Sequence, residues 1–240
     1  MPELQLSSLP TGAVKQLVNK LGKRIANGEY TIGENIPMEP ELVAENGVSR
    51  TVVREAIKVL SGKGMVRTAR RYGTHVCEID EWNLLDPDVI GWHAPDSPMA
   101  KRIFVEATSF RILIEPHAAA LAAAHANDIQ REMIQSSATV LESVDRYQHS
   151  VLAADFAFHA TVLEASGSLL LRQFRRFLHA VLNFSYATVS EQVQDGHCVP
   201  NAHGLVADAI AAGNAELAQQ RMHAMLSTDI AAAKSLYQSG

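Results

Sequence analysis

Residues 48–60 place the strongest constraint on the fold, because they combine an apolar stripe with a row of cations at helical spacing. Arg50, Arg54 and Lys58 recur every four residues, so a helix brings the three charges onto one face. Ser49 predicts an N-cap, because its hydroxyl can accept a hydrogen bond from a free amide of the first turn. The opposite face is expected to be buried through Val52, Val53, Ala56, Ile57 and Leu60.

A short helix is predicted just upstream, at residues 41–46, and Gly47 ends it. Helix, glycine turn and a helix with an exposed cationic half form the layout of a helix-turn-helix. The cations then lie where a recognition helix meets DNA phosphates and base edges. The alternative is an amphipathic helix with a solvated charged face, since cation stripes are common on helix surfaces.

Two short strands are predicted after this helix, at residues 65–68 and 74–77, following a glycine-rich stop at 62–64. The turn between them is cationic, which is typical of a wing that reaches DNA phosphates or the minor groove. A turn that only improves solubility is the alternative. The order of helix-turn-helix and hairpin favours the wing, whose turn residues are Arg70, Arg71, Tyr72 and Gly73.

Charge is unevenly distributed along the chain, although the net charge is only −5. Residues 1–80 hold 11 Lys and Arg against 9 Asp and Glu, a net of +2. The remaining residues hold 10 against 17, a net of −7. An acidic body with a mildly basic end is typical of a chain that contacts nucleic acid at that end alone.

Neither export nor membrane insertion is indicated by the sequence. No apolar run is long enough to span a bilayer, and the N-terminus lacks the cationic start and apolar core of a signal peptide. Cys77 and Cys198 are far apart in the chain, which favours reduced packing residues over a disulfide. We therefore expect a cytoplasmic protein.

The fold class is expected to be mainly α, with a winged helix-turn-helix at residues 1–78, a linker at 79–100 and an all-α bundle at 101–240. Burial of Trp82 and Trp92 requires the linker to pack down rather than to form a free tether. Proline at position 116 is expected to kink or interrupt the first helix of the bundle. The candidate helices are 101–125, 128–147, 150–165, 169–194, 201–212 and 215–237.

Residues 47–56, Gly-Val-Ser-Arg-Thr-Val-Val-Arg-Glu-Ala, resemble the GntR family of bacterial transcription regulators. The helical half, through residues 111–115 and 155–159, resembles the FadR-type branch with its ligand-binding FCD domain. Linker residues 82–89 are similar to those of regulators that respond to sugar acids, such as galactonate regulators. The resemblance implies a homodimer that binds double-stranded DNA at a palindromic operator, and a small carboxylate effector that changes its DNA affinity.

The resemblance also implies which residues touch the operator. They are Ser49, Arg50, Thr51 and Arg54 on the recognition helix, with Tyr72 and Gly73 in the wing. Two positions depart from the family pattern. Pro40 stands where a basic residue is often found on the second helix, and Arg71 stands where a glycine is common at the wing tip.

Asp155 and His159 lie four residues apart, so a helix turns the carboxylate and the imidazole to one side. Such a pair can hold a divalent ion such as Zn²⁺, Ni²⁺ or Mn²⁺. The resemblance implies His203 as a third ligand. It places Met225 at the position of the fourth ligand, with His223 two residues earlier as an uncertain substitute. A buried Asp–His hydrogen bond without metal is the alternative.

Arg111 is a cation on an otherwise apolar helix, one turn before Glu115. Its guanidinium can extend to the surface or pair with a carboxylate in two-pronged fashion, and the resemblance implies the second role, in effector binding. The sequence thus predicts a ligand-responsive transcription regulator. A metal-dependent enzyme using Asp155, His159 and His203, or an architectural DNA-binding protein without an effector, is the alternative, but no catalytic motif supports an enzyme.

Overall fold

The part of the chain that the computed structural model describes comprises residues 7, 9–143, 149–189 and 201–238. It divides into two compact units, one within Met1–Ala100 and the other within Lys101–Gly240. No helix in these described ranges is long and apolar enough to cross a membrane.

The first unit begins with three helices and a two-stranded antiparallel hairpin, in the order that the sequence predicts. These elements are α1 (Gly12–Ala26), α2 (Glu39–Asn46), α3 (Arg50–Gly62), β1 (Val66–Ala69) and β2 (Gly73–Val76). Gly47 ends α2 with a φ of 61°, a left-handed conformation that glycine adopts without steric cost. Ser49 caps α3 as predicted, because its hydroxyl accepts a 3.3 Å hydrogen bond from the amide of Val52.

The apolar stripes of α1 and α3 pack against each other, and this contact determines which face of α3 stays exposed. Val53, Ala56 and Leu60 of α3 have no exposed surface. Val52 and Ile57, which were also expected to be buried, lie at the edge of the stripe and are only partly covered. The buried stripe of α1 consists of Leu17, Val18, Leu21 and Ile25.

Residues 79–100 belong to the same compact unit as the helix-turn-helix. They contain a 3₁₀ helix at Ile79–Glu81 and a short helix, α4, at Pro87–Gly91. Trp92 is 3% exposed and lies so close to Gly22 of α1 that an added Cβ there would come within 2.5 Å of the indole ring. The linker therefore packs down on α1, as burial of the tryptophans requires.

A buried ion-pair network also joins α4 to the end of α3. Lys63 follows α3 directly, and its amine lies 2.6 Å from Oδ2 of Asp86 and 2.9 Å from Oδ2 of Asp88. All three side chains are largely shielded from solvent, so loss of one partner would leave an uncompensated buried charge. The position of the linker is thus tied to the position of the recognition helix.

The described residues beyond the linker are helical, as predicted. The helices are α5 (Pro98–His125), α6 (Asp128–Ser143), α7 (His149–Ala165), α8 (Leu169–Val189), α9 (Ala202–Ala211) and α10 (Ala215–Gln238). The expected interruption at Pro116 is wrong, because α5 continues through this residue, and the kink that was the other expectation stays a prediction. The predicted helix ends at 144–147 and 190–194, together with Cys198, lie outside the described residues.

A core between α7, α9 and α10 orients the helices that carry the candidate ligands. Phe158 of α7 and Val206 of α9 have no exposed surface and belong to one apolar cluster with Met222 and Leu226 of α10. Asp155 precedes Phe158 by three residues on α7, and His203 precedes Val206 by three residues on α9. Burial of the apolar residues therefore brings the polar ones towards each other.

Candidate functional site

The exposed face of α3 presents two arginines in its N-terminal half, with Ser49 and Thr51 exposed beside them. The side chains of Arg50 and Arg54 are 72% and 66% exposed. Nε of Arg54 donates a 2.7 Å hydrogen bond to Oε2 of Glu39, at the start of α2, and Nε of Arg50 lies 3.9 Å from Oε1 of the same carboxylate. Glu39 therefore links the two helices of the helix-turn-helix on its charged face.

The tip of the hairpin consists of the first three of the four predicted turn residues, and the fourth, Gly73, begins β2. The ladder ends where Ala69 pairs with Gly73, and the amide of Tyr72 donates a 3.0 Å hydrogen bond to the carbonyl of Ala69. Arg70, Arg71 and Tyr72 are all exposed. Arg71 has a φ of 72°, in the left-handed region where a side chain costs about 1–2 kcal/mol. This is the position at which the family resemblance predicts glycine.

Three ligand-type side chains meet inside the second unit. Oδ1 of Asp155 lies 3.4 Å from Nε2 of His159 and 3.3 Å from Nε2 of His203. One ligand atom from each residue lies within 4.8 Å of the other two. The ring of Phe158 packs edge-on against both imidazoles, with ring centroids 5.3 Å from His159 and 4.9 Å from His203. The predicted group is therefore assembled from α7 and α9.

Two charged side chains of α5 adjoin this group, and both are buried. Nε of Arg111 donates a 2.5 Å hydrogen bond to Oε1 of Glu115, and Oε2 of Glu115 lies 2.5 Å from Nδ1 of His159. A terminal nitrogen of Arg111 lies 3.3 Å from Nε2 of His159. Because Arg111 is only 4% exposed, it does not extend to the surface.

The charges of this cluster stabilise one another strongly. Burial alone would raise the pKa of Glu115, but Arg111 and His159 outweigh burial and lower it to about 2. Burial opposes ionisation of Asp155 as well, yet hydrogen bonds from His159 and His203 hold its pKa well below the usual range. Burial lowers the pKa of His159, but the neighbouring carboxylates of Glu115 and Asp155 raise it to about 9. Both carboxylates are therefore anionic at neutral pH.

The donor set fits a divalent cation. One carboxylate oxygen and two imidazole nitrogens suit Zn²⁺, Ni²⁺ or Mn²⁺, and three protein ligands leave room in the shell for atoms of another molecule. Glu115 occupies the far side of the His159 ring, which leaves Nε2 on the side of Asp155. Without an ion, the same contacts form a buried Asp155–His159 ion pair, because a metal and a proton compete for the same nitrogen.

The structure does not bring His223 to this group. Its side chain is exposed on α10 and lines a surface cavity with Pro116 and His117. Met225 is 6% exposed and packs in the apolar core of the unit. Among the described residues, the ligand group therefore consists of the three side chains from α7 and α9.

Two family models match the chain in the order in which its two units occur. "Bacterial regulatory proteins, gntR family" matches residues 13–76, which run from α1 to the end of β2. "FCD domain" matches residues 106–228, which include Arg111 and all three candidate ligands. This chain belongs to the GntR family and carries an FCD domain.

Related proteins agree with this assignment. The uncharacterized HTH-type transcriptional regulator YieP of Escherichia coli K12 is 32% identical over 218 residues, covering 88% of this chain and 90% of the relative. The galactonate operon transcriptional repressor of the same strain is 30% identical over 158 residues, covering 66% and 69%. The GntR-family chain is thus a DNA-binding transcription regulator.

A solved structure supports the fold alone. Lar, which controls the agr system of Listeria monocytogenes, superimposes with a TM-score of 0.62 at 18% identity, covering 95% of this chain and 99% of that one. Together with the two family matches, it confirms the predicted winged helix-turn-helix followed by an FCD-like helical domain.

Two residues of this GntR-family chain contact the predicted sites although the sequence assigned them no role. Glu115 was visible only as the residue one helical turn after Arg111, and its contact with His159 depends on the packing of α5 near α7. Glu39 precedes Arg54 by 15 positions, so no helical spacing connects them. Both contacts are between different helices, which periodicity along one helix cannot indicate.

Proposed function

We propose that this GntR-family regulator binds a palindromic operator as a homodimer, and that a small carboxylate in its FCD domain controls the affinity for DNA. The DNA contacts assigned to the protein are Ser49, Arg50, Thr51 and Arg54 of α3, with Arg70, Arg71, Tyr72 and Gly73 of the wing. Since operator DNA is the target, the proposed site of action is the cytoplasm.

The observation that carries the effector site is the meeting of a buried arginine with three metal-type ligands. Nε2 of His159 lies 3.3 Å from a terminal nitrogen of Arg111 and 3.4 Å from Oδ1 of Asp155. A carboxylate placed there meets both a guanidinium and a divalent ion held by Asp155, His159 and His203. The ion supplies a strong positive centre that a carboxylate and an adjacent hydroxyl can bind together.

The overall charge explains why an anion needs such a site. The residues from 81 onwards carry a net charge of −7, so an anionic ligand is repelled unless a local positive centre attracts it. Arg111 provides one such charge, and its fork matches the geometry of a carboxylate. Burial of the cluster strengthens both attractions, because water is excluded.

A hydroxy acid is the ligand class that this site favours. The carboxylate and a neighbouring hydroxyl of such a molecule can fill two positions of the shell that the three protein ligands leave open. The name of the related galactonate operon repressor points to the same class, since galactonate is a sugar acid. Occupation would join α5, α7 and α9, and so can shift the protein between arrangements that differ in DNA affinity, typically with a coupling of about 1–3 kcal/mol.

A thermal-shift screen of small hydroxy acids, with and without added Zn²⁺, Ni²⁺ or Mn²⁺, tests the proposal on chelator-stripped full-length protein. The hydroxy acid that gives the largest thermal shift is then added to a gel-shift assay with operator DNA. Asp155→Ala, His159→Ala and Arg111→Ala are each expected to keep DNA binding and to lose the response to the acid. The two ligand variants should also lose metal by elemental analysis.

His117→Ala is the matched control, because His117 is an exposed histidine of α5 away from the ligand group. It should respond like the wild type. A metal-free wild type that responds equally well in chelator would remove the ion from the mechanism. It would leave an arginine-lined site in which Asp155 and His159 serve as scaffold.

A further inference from the structure

We infer that Glu115 is a positioning residue of the metal site: it accepts a hydrogen bond from Nδ1–H of His159 and thereby presents Nε2 of that ring to the ion. This inference rests on the proposed metal site, and it adds a residue that lies outside the ligand set. Glu115 touches neither the ion nor the effector in this role, but acts through His159.

The contact that supports this role is short and fully enclosed. Oε2 of Glu115 and Nδ1 of His159 are 2.5 Å apart, and the two residues are 1% and 2% exposed. Neither atom makes a well-aligned hydrogen bond to any described residue, so the short ion-pair contact between them is what compensates both. Because water is also excluded, each of these polar atoms depends on the other for its compensation.

The contact with Glu115 determines which nitrogen of the His159 ring carries the proton and which carries the lone pair. A neutral histidine carries its proton on one nitrogen and a lone pair on the other, and the partner of the protonated nitrogen determines which is which. A carboxylate at Nδ1 favours the proton there and leaves the lone pair on Nε2. Nε2 of His159 is the atom that faces Asp155, at 3.4 Å. The lone pair is thus on the nitrogen that lies between Asp155 and a terminal nitrogen of Arg111, which is 3.3 Å away.

Arg111 completes the arrangement from the other side of the carboxylate. Its Nε bonds to Oε1 of Glu115, whereas His159 faces Oε2, so the two partners do not compete for one oxygen. A simple Arg111–Glu115 ion pair would not require Oε2 to be aimed at a histidine ring. Arg111 holds the carboxylate in place and keeps it anionic, and the carboxylate holds the ring.

Competition titration of Zn²⁺ against a chromophoric chelator tests the inference with stripped full-length protein. Glu115→Gln keeps the side-chain volume but removes the charge, and it is expected to weaken Zn²⁺ binding about 10–100-fold, the usual effect of losing such a partner. Glu164→Gln is the matched control. Glu164 also lies on a helix of this unit and pairs with Arg172 and Arg175, but it does not contact the ligands. Its Zn²⁺ affinity should equal that of the wild type.

Nitrogen-15 NMR of the zinc-loaded wild type gives a second readout, which does not depend on whether the variant folds. The His159 ring is expected to carry its proton on Nδ1 and the metal on Nε2. A proton on Nε2, or equal Zn²⁺ affinities of wild type and Glu115→Gln, would overturn the role of Glu115 while leaving the metal site intact. A wild-type protein that binds no Zn²⁺ would overturn both the proposed metal site and the role of Glu115.

Discussion

Arg54 donates a 2.7 Å hydrogen bond from Nε to Oε2 of Glu39, and this contact joins the recognition helix to the first residue of α2. Oε1 of the same carboxylate lies 3.9 Å from Nε of Arg50. Glu39 therefore lies beside two arginines whose side chains are 72% and 66% exposed. If these arginines contact the operator as proposed, the carboxylate of Glu39 would both hold them in place and compete with DNA phosphates for them.

Arg50→Ala and Arg54→Ala are each expected to weaken operator binding roughly five- to 150-fold, the range for loss of one base or phosphate contact. The fold should persist, because both side chains are exposed and the buried stripe of α3 is unchanged. Gel shifts at fixed salt measure the affinity, and circular dichroism checks the helix content. Wild-type affinity in both variants would contradict the assignment of α3 as the recognition helix.

Glu39→Gln is expected to raise affinity for random-sequence DNA by up to about fivefold, since it removes the acid that competes for the arginines in an exposed ion pair. The ratio of operator to random-sequence affinity should fall, because the arginines lose their fixed geometry. Glu55→Gln serves as control, since Glu55 pairs with Lys58 at 2.8 Å, farther along α3. A specificity ratio that stays constant in Glu39→Gln would show that the carboxylate does not order the arginines.

Replacing Arg70 and Arg71 together by Ala is expected to reduce the salt dependence of operator binding by roughly one to two units in the slope of log K against log salt. Both side chains are exposed at the tip of the hairpin, where a cation releases a counterion for each phosphate that it contacts. Fluorescence anisotropy over a series of salt concentrations gives the slope. An unaltered slope would mean that the wing tip does not touch the phosphates.

Arg71→Gly is expected to stabilise the hairpin while weakening DNA binding. The left-handed backbone at Arg71, with a φ of 72°, costs a side chain about 1–2 kcal/mol, and the greater chain entropy of glycine offsets about half of the gain. Thermal unfolding should therefore show a small increase in stability. Arg70→Gly is the control, since Arg70 has no positive φ and should gain nothing. Equal effects of the two changes would contradict strain at Arg71.

The sequence predicts the elements of this fold well where a single helix carries the signal. The stripe of α3, the Ser49 cap and the Asp155–His159 pair all follow from spacing within one helix, and the structure shows each of them. Residues at the edges of such stripes are harder to predict. Val52 is only partly buried, because its exposure depends on how far α1 reaches across α3.

Contacts between helices were beyond the reach of the sequence. A terminal nitrogen of Arg111 on α5 lies 3.3 Å from Nε2 of His159 on α7, and no spacing within either helix indicates that contact. Continuation of α5 through Pro116 likewise depends on the surrounding fold, since proline removes one hydrogen bond but packing decides whether the helix ends. The family resemblance supplied His203, which no spacing from Asp155 could have identified.

The buried charges of the FCD domain predict that metal and carboxylate bind cooperatively. With neutral imidazoles, Asp155 and Glu115 contribute two negative charges and Arg111 one positive charge. A divalent ion then leaves the enclosed cluster with one positive charge in excess. An uncompensated charge is costly in a site from which water is excluded, and a monoanionic carboxylate removes it.

Each ligand is therefore expected to raise the affinity of the other by the same factor, in the range of about 5–150-fold, because equilibrium coupling between two sites is reciprocal. Isothermal titration of Zn²⁺ into stripped protein, with and without the hydroxy acid that gives the largest thermal shift, measures the factor in one direction. Titration of the acid with and without Zn²⁺ measures it in the other. The uncharged amide of the same acid is the control, and it should give little coupling because it cannot neutralise the excess charge. Equal Zn²⁺ affinity in the presence of acid and amide would show that charge compensation does not link the two ligands.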